Sequence, residues 1–544
     1  MKCDQLILGR IVTFDLDDAE RVYVEAMAVK DGKIAYLGSE KTARRLCDEH
    51  TKVLDYGRHI VYPGFMDAHC HGLMAGARLA FECNLLPGKS MQDYCDIMKK
   101  YIEANPGREY YSGAGWVPYE EPQASMLDAV CPDKPLYLTS YDAHSLWLNS
   151  KALEECGYDA EAARKMNGLI HTDADGNPSG MVSEMAAQHA RTIHKYSVSE
   201  LKEGLLAWQD FAFRQGLTGV GEALLDMYDG GLQAYTELDR EGKWKLRTYA
   251  YPSLPKIVLK GEYDEAAEMV LEMQKEFNSD HFKVAGYKMI LDGVVEGHTA
   301  YMDEEYLDKP GYHGVLNLPD QETVNRLVLA MNKAGIPVHT HAIGDGAVRI
   351  VMNAYENAEL ETCNFDIRNI ACHLQFVHKE DIRRFSDYRV IAVVAPLWAP
   401  VEQPTFDQEI KYLGEDLAWT EYPIASFTEC GTTVCFHSDY PVSPNINPAH
   451  AIYSAVKRAD PTAGPKSVKN PDEGILPLKA LLSSTLNCAT MWRMENEVGH
   501  FDIGMRADAT VFDKDFLTRY DLEDVARIKL LATIIDGDEV YKAE

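Results

Sequence analysis

The chain has 544 residues, too many for one small domain and enough for one large barrel with additions or for two to three domains. Hydrophobic residues make up 46% and charged residues 26%, an ordinary globular balance with ample material for a core. The formal net charge of −31 argues against nucleic acid or an anionic membrane surface as a partner.

Localisation signals are sparse at the start of the chain. The segment MKCDQLILGR has no basic region followed by an apolar stretch, so no signal peptide is predicted. The sequence contains no run of about 18 apolar residues, so no membrane span is predicted. The 12 cysteines are scattered, without a C-x-x-C pair, which favours reduced thiols. We therefore expect a cytoplasmic protein.

Short β segments with turn signals stand at both ends of the chain. Asp31-Gly32 lies between alternating apolar and polar residues, and Asp536-Gly537 has the same surroundings. Such a dipeptide is a strong signal for a β-hairpin. Neither end has enough strands for a closed core. We therefore predict that residues 1–60 and 495–544 combine into one small β-sandwich domain, which would bring the termini close together.

Between the ends, apolar strand-like runs alternate with amphipathic helical segments, the pattern of parallel βα units. The eight runs are HIVYPGFMDAH, GLTGVGEAL, KLRTYAYPSL, FKVAGYKMILDG, GIPVHTHAIGD, RNIACHLQFV, RVIAVVAPLW and TTVCFHSDYPV. They predict an α/β fold, a (β/α)₈ TIM barrel over residues 61–494. The gap between the first two runs is too long for one crossover and predicts an inserted subdomain over about residues 75–205.

The first run carries a pair of histidines, His69 and His71. Residues i and i+2 of a strand face the same side, about 6.6 Å apart, so both imidazoles can reach one ion at a zinc–nitrogen distance of about 2.0–2.1 Å. This pair alone is a weak metal signal. His341, His373 and Asp439 strengthen it, because each lies at the carboxyl end of a later run, where barrel active sites gather.

Lys288 lies near the end of the fourth run. Burial lowers the pKa of a lysine ammonium, and the neutral amine can take up CO₂ to form a carbamate that bridges two metal ions. The alternative is a salt bridge to Asp292 or to a neighbouring carboxylate. We favour the carbamate, which predicts two ions, whereas an unmodified lysine predicts one.

Two further histidines, His339 and His437, each stand two residues before a proposed ligand. Both therefore face the barrel interior, one pleat deeper than the ligand. For each we favour a hydrogen-bonded supporting role or a core role.

Several motifs together resemble the amidohydrolase superfamily, specifically its YtcJ-like branch, which includes N-substituted formamide deformylases. They are PGFMDAHCHG, YKMILDG, HTHAIGDGAV, HSDYPVSPNINP and GMRADATVFD, in this order, and the resemblance runs nearly end to end. It implies a divalent metal centre, with zinc as the expected ion. The implied ligands are His69, His71, Lys288, His341, His373 and Asp439. Asp439 would also serve as the proton shuttle, and large barrels of this kind often form dimers.

The chain departs from the family pattern at the sixth strand. Relatives often read Arg-His-x-Ile-Glu-His up to the ligand, whereas this chain reads RNIACH, with Asn369 and Cys372 in place of a His and a Glu. His298 stands where many relatives carry Arg. These changes are expected to alter the surroundings of the ligands and the substrate contacts.

The substrate contacts are predicted from the insertion and from the fourth strand. The motif DAHSLWLNSKAL matches the family, and we expect this segment to cap the active site with His144 or Tyr141 on the substrate. A hydrogen bond that stabilises the loop is the alternative. Trp116 is expected to line an aromatic pocket for an N-substituent, with core packing as its alternative. Asp292 is also placed among the substrate-binding residues.

The expected reaction is hydrolysis of a non-peptide C–N bond of amide or formamide type in a small molecule. A metal lowers the pKa of its bound water to about 7, and Asp439 would take the proton and pass it to the leaving nitrogen. One alternative is a hydrolytic deaminase or cyclic-amide hydrolase on the same metal centre, distinguished by its products. A non-catalytic binding protein on a barrel scaffold is the least favoured, because the ligand set would then have no evident purpose.

Overall fold

The structure is a computed structural model that describes residues 2–15, 20–141, 145–166, 168–191, 193–403, 405–515, 517 and 525–544. The predicted substrate contact His144 lies outside these residues. The chain forms two compact units. One contains Met1–Gly72, Gln209–Asp226 and Tyr235–Glu544, and the other contains Leu73–Trp208 and Met227–Ala234.

The strands of the described residues are numbered in chain order. They are β1 (Gln5–Asp15), β2 (Glu20–Lys30), β3 (Lys33–Gly38), β4 (Lys52–Pro63), β5 (Phe65–Cys70), β6 (Glu82–Asn84), β7 (Tyr111–Trp116), β8 (Leu136–Ser140), β9 (Ser145–Leu148), β10 (Ile170–Thr172), β11 (Pro178–Ser183), β12 (Leu217–Glu222), β13 (Arg247–Ala250), β14 (Phe282–Val284), β15 (Tyr287–Ile290), β16 (Val338–Ala342), β17 (Ile370–His373), β18 (Ile391–Val394), β19 (Val434–Phe436), β20 (Ala509–Phe512), β21 (Leu530–Ile535) and β22 (Asp538–Lys542).

The helices are numbered in the same way. They are α1 (Glu40–Ala43), α2 (Gly72–Phe81), α3 (Met91–Ala104), α4 (Ala124–Val130), α5 (Ser150–Glu155), α6 (Ala160–Lys165), α7 (Glu184–Arg191), α8 (Val198–Gln215), α9 (Gly231–Arg240), α10 (Pro255–Val258), α11 (Tyr263–Phe277), α12 (Gln321–Lys333), α13 (Asp345–Thr362), α14 (Lys379–Asp387), α15 (Thr405–Leu413), α16 (Glu415–Ala418), α17 (Ile424–Glu429), α18 (Pro448–Lys457), α19 (Pro477–Ser483) and α20 (Leu486–Met491). Among the described residues, none of the helices has the length and apolar character needed to cross a membrane.

Strands from both chain ends join one seven-stranded sheet in the order β22-β21-β20-β4-β1-β2-β3. Apolar side chains from the two ends share one core cluster, which includes Ile7, Val29 and Ile534. The Asp31-Gly32 and Asp536-Gly537 turns have positive φ at both residues, as a two-residue hairpin of type I′ requires. The boundaries of this domain at residues 60 and 495 stay a prediction.

The parallel strands of the first unit confirm the predicted barrel. They form two arcs of adjacent strands, one in the order β14-β13-β12-β5 and the other in the order β15-β16-β17-β18-β19. Strands β14 and β15 both come from the fourth predicted run, so the eight runs supply all the strands of these arcs. The arcs meet at two seams. At one seam Lys288 N donates to Pro252 O at 2.8 Å, and at the other Asp439 N donates to His69 O at 3.0 Å.

The first predicted run is two strands rather than one. Strand β4 ends at Pro63 in the small sheet, and β5 begins at Phe65 in the barrel. Gly64 separates them because a Cβ atom at this position would lie 2.2 Å from Thr218 Oγ1 on the neighbouring β12. The chain therefore passes from one sheet to the other at a residue that has no side chain.

The second unit has its own six-stranded sheet, in the order β10-β11-β9-β8-β7-β6. One apolar cluster on this sheet includes the fully buried Trp116 and Trp147 with Tyr94. This unit covers Leu73–Trp208 and Met227–Ala234. The insertion over about residues 75–205 stays a prediction.

Arg247 on β13 ties the barrel to the small sheet. Its guanidinium is buried and donates to both carboxylate oxygens of Asp508, at 2.5 and 3.0 Å, and to Asp536 at 2.7 Å. Burial alone would lower the pKa of Arg247, but the two carboxylates raise it above its usual value. The arginine therefore stays charged and neutralises an otherwise buried acid.

Replacing Arg247 with Met should lower the free energy of unfolding by about 3–5 kcal/mol, because Asp508 is left buried without its cationic partner. Urea unfolding of the two proteins measures this difference. The matched control is R214M, since Arg214 pairs with Asp210 at 2.7 Å on the exposed surface and such pairs contribute about 0–1 kcal/mol. Equal losses in the two variants would contradict the proposed difference between the pairs.

Candidate metal centre

Three electron-pair donors meet at the seam between β5 and β19. His69 Nε2 lies 3.1 Å and His71 Nε2 3.0 Å from the same atom, Asp439 Oδ1. Asp439 has a φ of 59°, which is uncommon for a non-glycine residue. Its backbone is held there because its N–H donates to His69 O at 3.0 Å and its carbonyl accepts from Val442 N at 2.8 Å.

This spacing fits a bound zinc ion. Two donors about 2.1 Å from a tetrahedral zinc lie about 3.4 Å apart, close to the two distances observed. Asp439 Oδ1 is buried and accepts no hydrogen bond from the described residues. Burial alone would raise the pKa of Asp439, but His71 and other nearby imidazoles lower it well below its usual range. A buried carboxylate oxygen without a hydrogen-bond donor, beside two imidazole nitrogens, is a set of electron-pair donors that a cation would compensate.

His341 and His373 stand side by side on β16 and β17, with ring centroids 4.4 Å apart. His341 Nε2 lies 3.2 Å from Gly293 O. Because a carbonyl only accepts, this contact places the proton on Nε2 and leaves Nδ1 with its lone pair. Burial, with Lys288 nearby, lowers the pKa of His341 to about 4. His373 Nδ1 is also buried and without a partner among the described residues.

His69 lies between His71 and the His341–His373 pair. Its ring centroid is 5.3 Å from that of His71 and 5.0 Å from that of His373. The structure therefore brings the imidazoles from β5, β16 and β17 together with Asp439 at the carboxyl ends of the strands. The ring of Trp398 stacks on that of His373, with a centroid distance of 5.8 Å, and so lies beside this group of imidazoles.

Lys288 lies on β15, 2% exposed, directly across from His339 in the parallel pairing. Burial lowers the pKa of its ammonium group. Among the residues that the structure describes, Lys288 has no ion pair and no hydrogen bond through its side chain. The alternative salt bridge to Asp292 is not formed, because the oxygens of Asp292 bind elsewhere.

Asp292 supports the loop that follows His341. Its carboxylate accepts backbone N–H groups of Tyr301, Ile343 and Gly344 at 2.9–3.1 Å, and Oδ1 lies 3.6 Å from His341 Nε2. Burial raises the pKa of Asp292 to about 7. A substrate contact of this buried side chain stays a prediction.

The other predicted substrate-binding residues belong to the second unit. Trp116 is wholly buried, and its indole Nε1 donates to Leu138 O at 2.7 Å, which is the core-packing alternative. The Tyr141 side chain is 58% exposed, and its substrate contact stays a prediction. His298, in the first unit, is bonded through Nε2 to Asp308 at 3.1 Å.

Two contacts of His69 are not predicted by the sequence reasoning. His339 Nε2 lies 2.8 Å and Cys372 Sγ 3.2 Å from His69 Nδ1. The position of His339 two residues before His341 gave a signal for a supporting role. The change at Cys372 predicted altered surroundings of the ligands but no contact with His69, because strand alternation would turn Cys372 away from the side of His373. His373 has a φ of 78°, outside the strand region, so this alternation does not hold there.

A model described as the Amidohydrolase family matches residues 53–541. The chain belongs to this family.

Relatives of this family member extend over nearly its whole length. The putative amidohydrolase YtcJ of Bacillus subtilis (strain 168) is 26% identical over 98% of this chain and 98% of that protein. The N-substituted formamide deformylase of Arthrobacter pascens is 25% identical over 96% of this chain and 95% of that protein. A solved structure, described as an uncharacterized metal-dependent hydrolase from Pyrococcus furiosus, has a TM-score of 0.76, with 23% identity over 94% of this chain and 99% of that chain. It shares the fold, and the predicted family assignment is confirmed.

Replacing Asp292 with Asn should lower the free energy of unfolding by about 1–3 kcal/mol, because the new NH₂ group would face backbone donors that then lose an acceptor. Denaturant unfolding measures the loss. D320N is the control, since Asp320 accepts from Thr323 N at the start of α12 and Asn caps a helix about as well as Asp. An unchanged D292N protein would show that this carboxylate does not support the loop.

Proposed function

We propose that this amidohydrolase is a metal-dependent hydrolase of a non-peptide C–N bond, of amide or formamide type, in a small molecule. The observation that carries the proposal is that His69 Nε2 and His71 Nε2 lie 3.1 and 3.0 Å from the same atom, Asp439 Oδ1, at the carboxyl end of the barrel. Family membership supports the same reaction class. The relatives named an amidohydrolase and a formamide deformylase make amides and formamides the substrates to test first.

The chain's own residues have separate tasks in this reaction. When bound, a divalent cation, proposed to be zinc, polarises a carbonyl and makes water a better nucleophile. The groups that would hold it are His69, His71, Lys288, His341, His373 and Asp439. The histidines suit this task because burial keeps His69, His341 and His373 neutral, with pKa values below the usual range.

Asp439 is proposed to move the proton. It is an anion at neutral pH because its pKa lies well below the usual range. As water attacks the carbonyl, Asp439 accepts a proton and then passes it to the leaving nitrogen. The departing amine is thereby released in its neutral form, and the carboxylate regains its charge for the next turnover.

The number of ions depends on Lys288. Its buried side chain has no ion pair among the described residues, which supports the carbamate and two ions. Without the carbamate, one ion held by His69, His71, His341 and Asp439 is expected.

A cytoplasmic location is proposed from the twelve cysteines, all of which are free thiols. A homodimer stays a prediction.

Purified protein should contain about two zinc ions per chain, and K288M should contain one or fewer, because the lysine carbamate would bridge the two ions. Elemental analysis after growth with zinc measures the occupancy. K283M is the control, since Lys283 lies on the preceding strand and donates to Ser279 O at 3.3 Å. Wild-type occupancy near one would support the single-ion arrangement, whereas occupancy near zero would overturn the proposed function.

Hydrolysis should be found in a screen of N-formyl, N-acyl and cyclic amides, with an acid and an amine as products. D439N should lower kcat by at least about 10²-fold, the usual contribution of a positioned acid–base group. D502N, on an exposed carboxylate, serves as the control. Ammonia or a ring-opened product would instead identify a deaminase or a cyclic-amide hydrolase. Turnover that persists after chelation of the metal would contradict metal dependence.

A further inference from the structure

A pair of buried imidazoles lies next to the proposed ligands. His69 Nδ1 and His339 Nε2 are 2.8 Å apart, and the two side chains are 1% and 0% exposed. His339 stands two residues before His341 on β16, so both side chains of this strand face the barrel interior. The contact thus connects the ring of a first-strand ligand to a neighbouring wall of the barrel.

One proton must lie between these two nitrogens, and its location decides what His69 can bind. If His339 donated the proton, His69 would carry its own proton on Nε2, the atom that lies 3.1 Å from Asp439 Oδ1. That tautomer has no lone pair to offer a cation. If His69 Nδ1 donates to His339 Nε2, the lone pair of His69 Nε2 is directed at the proposed metal centre.

Metal-binding histidines commonly donate their second ring N–H to a carboxylate, a backbone carbonyl or water. The contacts of His69 Nδ1 among the described side chains are different, namely His339 Nε2 at 2.8 Å and Cys372 Sγ at 3.2 Å. Asn369, the other departure in the RNIACH segment, binds Asn332 at 2.8 and 3.0 Å. Neither of the two altered positions supplies a carboxylate to His69.

We propose that His339 is a positioning residue that accepts the Nδ1–H of His69 and so fixes the tautomer and ring orientation of this ligand. This inference rests on the proposed function to the extent that His69 holds the ion. It goes beyond that function because it assigns a neutral imidazole on β16 as the acceptor of the hydrogen bond from His69 Nδ1–H.

Simple packing does not account for His339. Its Nδ1 atom is buried and has no partner among the described residues, a cost of about 1–3 kcal/mol that an apolar side chain would avoid. His437 offers a comparison within the same protein. It is also buried, and neither of its ring nitrogens has a partner among the described residues. Its ring centroid lies 5.3 Å from that of His69.

The test compares zinc affinities of H339Q, H339L and H437L with that of the wild-type protein, by competition with a chromogenic chelator. Leu removes the acceptor, so H339L should raise the Kd for zinc about 10–100-fold, the usual effect of losing such a partner. Gln places an oxygen near the position of Nε2, so H339Q should stay within about threefold of the wild type. H437L, which removes a buried imidazole without removing the acceptor, should also stay close to the wild type.

Each outcome has one meaning. Wild-type protein that binds no zinc would remove the proposed function, and this inference with it. Wild-type protein that binds zinc while H339L binds equally tightly would overturn only the role of His339. Equal weakening in H339Q and H339L, or in H437L and H339L, would show a packing effect and would also overturn it. Circular dichroism checks folding, and H339M replaces H339L if that variant does not fold.

Discussion

The candidate site is governed by the electrostatic cost of collecting electron-pair donors where water is scarce. The ring nitrogens of His69 and His71 each lie 3.0–3.1 Å from Asp439 Oδ1, a buried oxygen that accepts no hydrogen bond from the described residues. Burying such groups without compensation costs several kcal/mol. A bound cation would remove that cost. Metal binding is therefore expected to stabilise the carboxyl end of the barrel as well.

The rest of the barrel holds these donors in register. Residues on β5, β16 and β17 reach the same end because parallel strands place their carboxyl ends together. Gly64 lets β5 start immediately after the small sheet, and Asp292 fixes the backbone after His341 through three amide groups. Each of these supports is buried, so the positions of the ligands depend on packing that the solvent does not perturb.

The sequence predicts the fold and the convergence of the proposed ligands well, because both follow from repeated patterns. Eight apolar runs with turn signals define the barrel strands, and polar residues at their ends define the site. Local backbone geometry is what it does not predict. The break at Gly64 depends on Thr218 of a strand far away in sequence. The approach of Cys372 to His69 accompanies the left-handed backbone of His373, and no residue pattern announces that conformation. The roles of Tyr141 and His144 stay predictions.

The shared seven-stranded sheet has a consequence for biosynthesis. Strand β4 pairs with β1 on one side and with β20 on the other, yet β20 begins only at Ala509, after the barrel sequence has been made. Until the ribosome delivers that segment, one edge of β4 has exposed backbone donors and acceptors, the kind of edge that promotes aggregation. Completion of the sheet is therefore a late event in folding, and a nascent chain that stops short of β20 would present an open edge to chaperones and proteases.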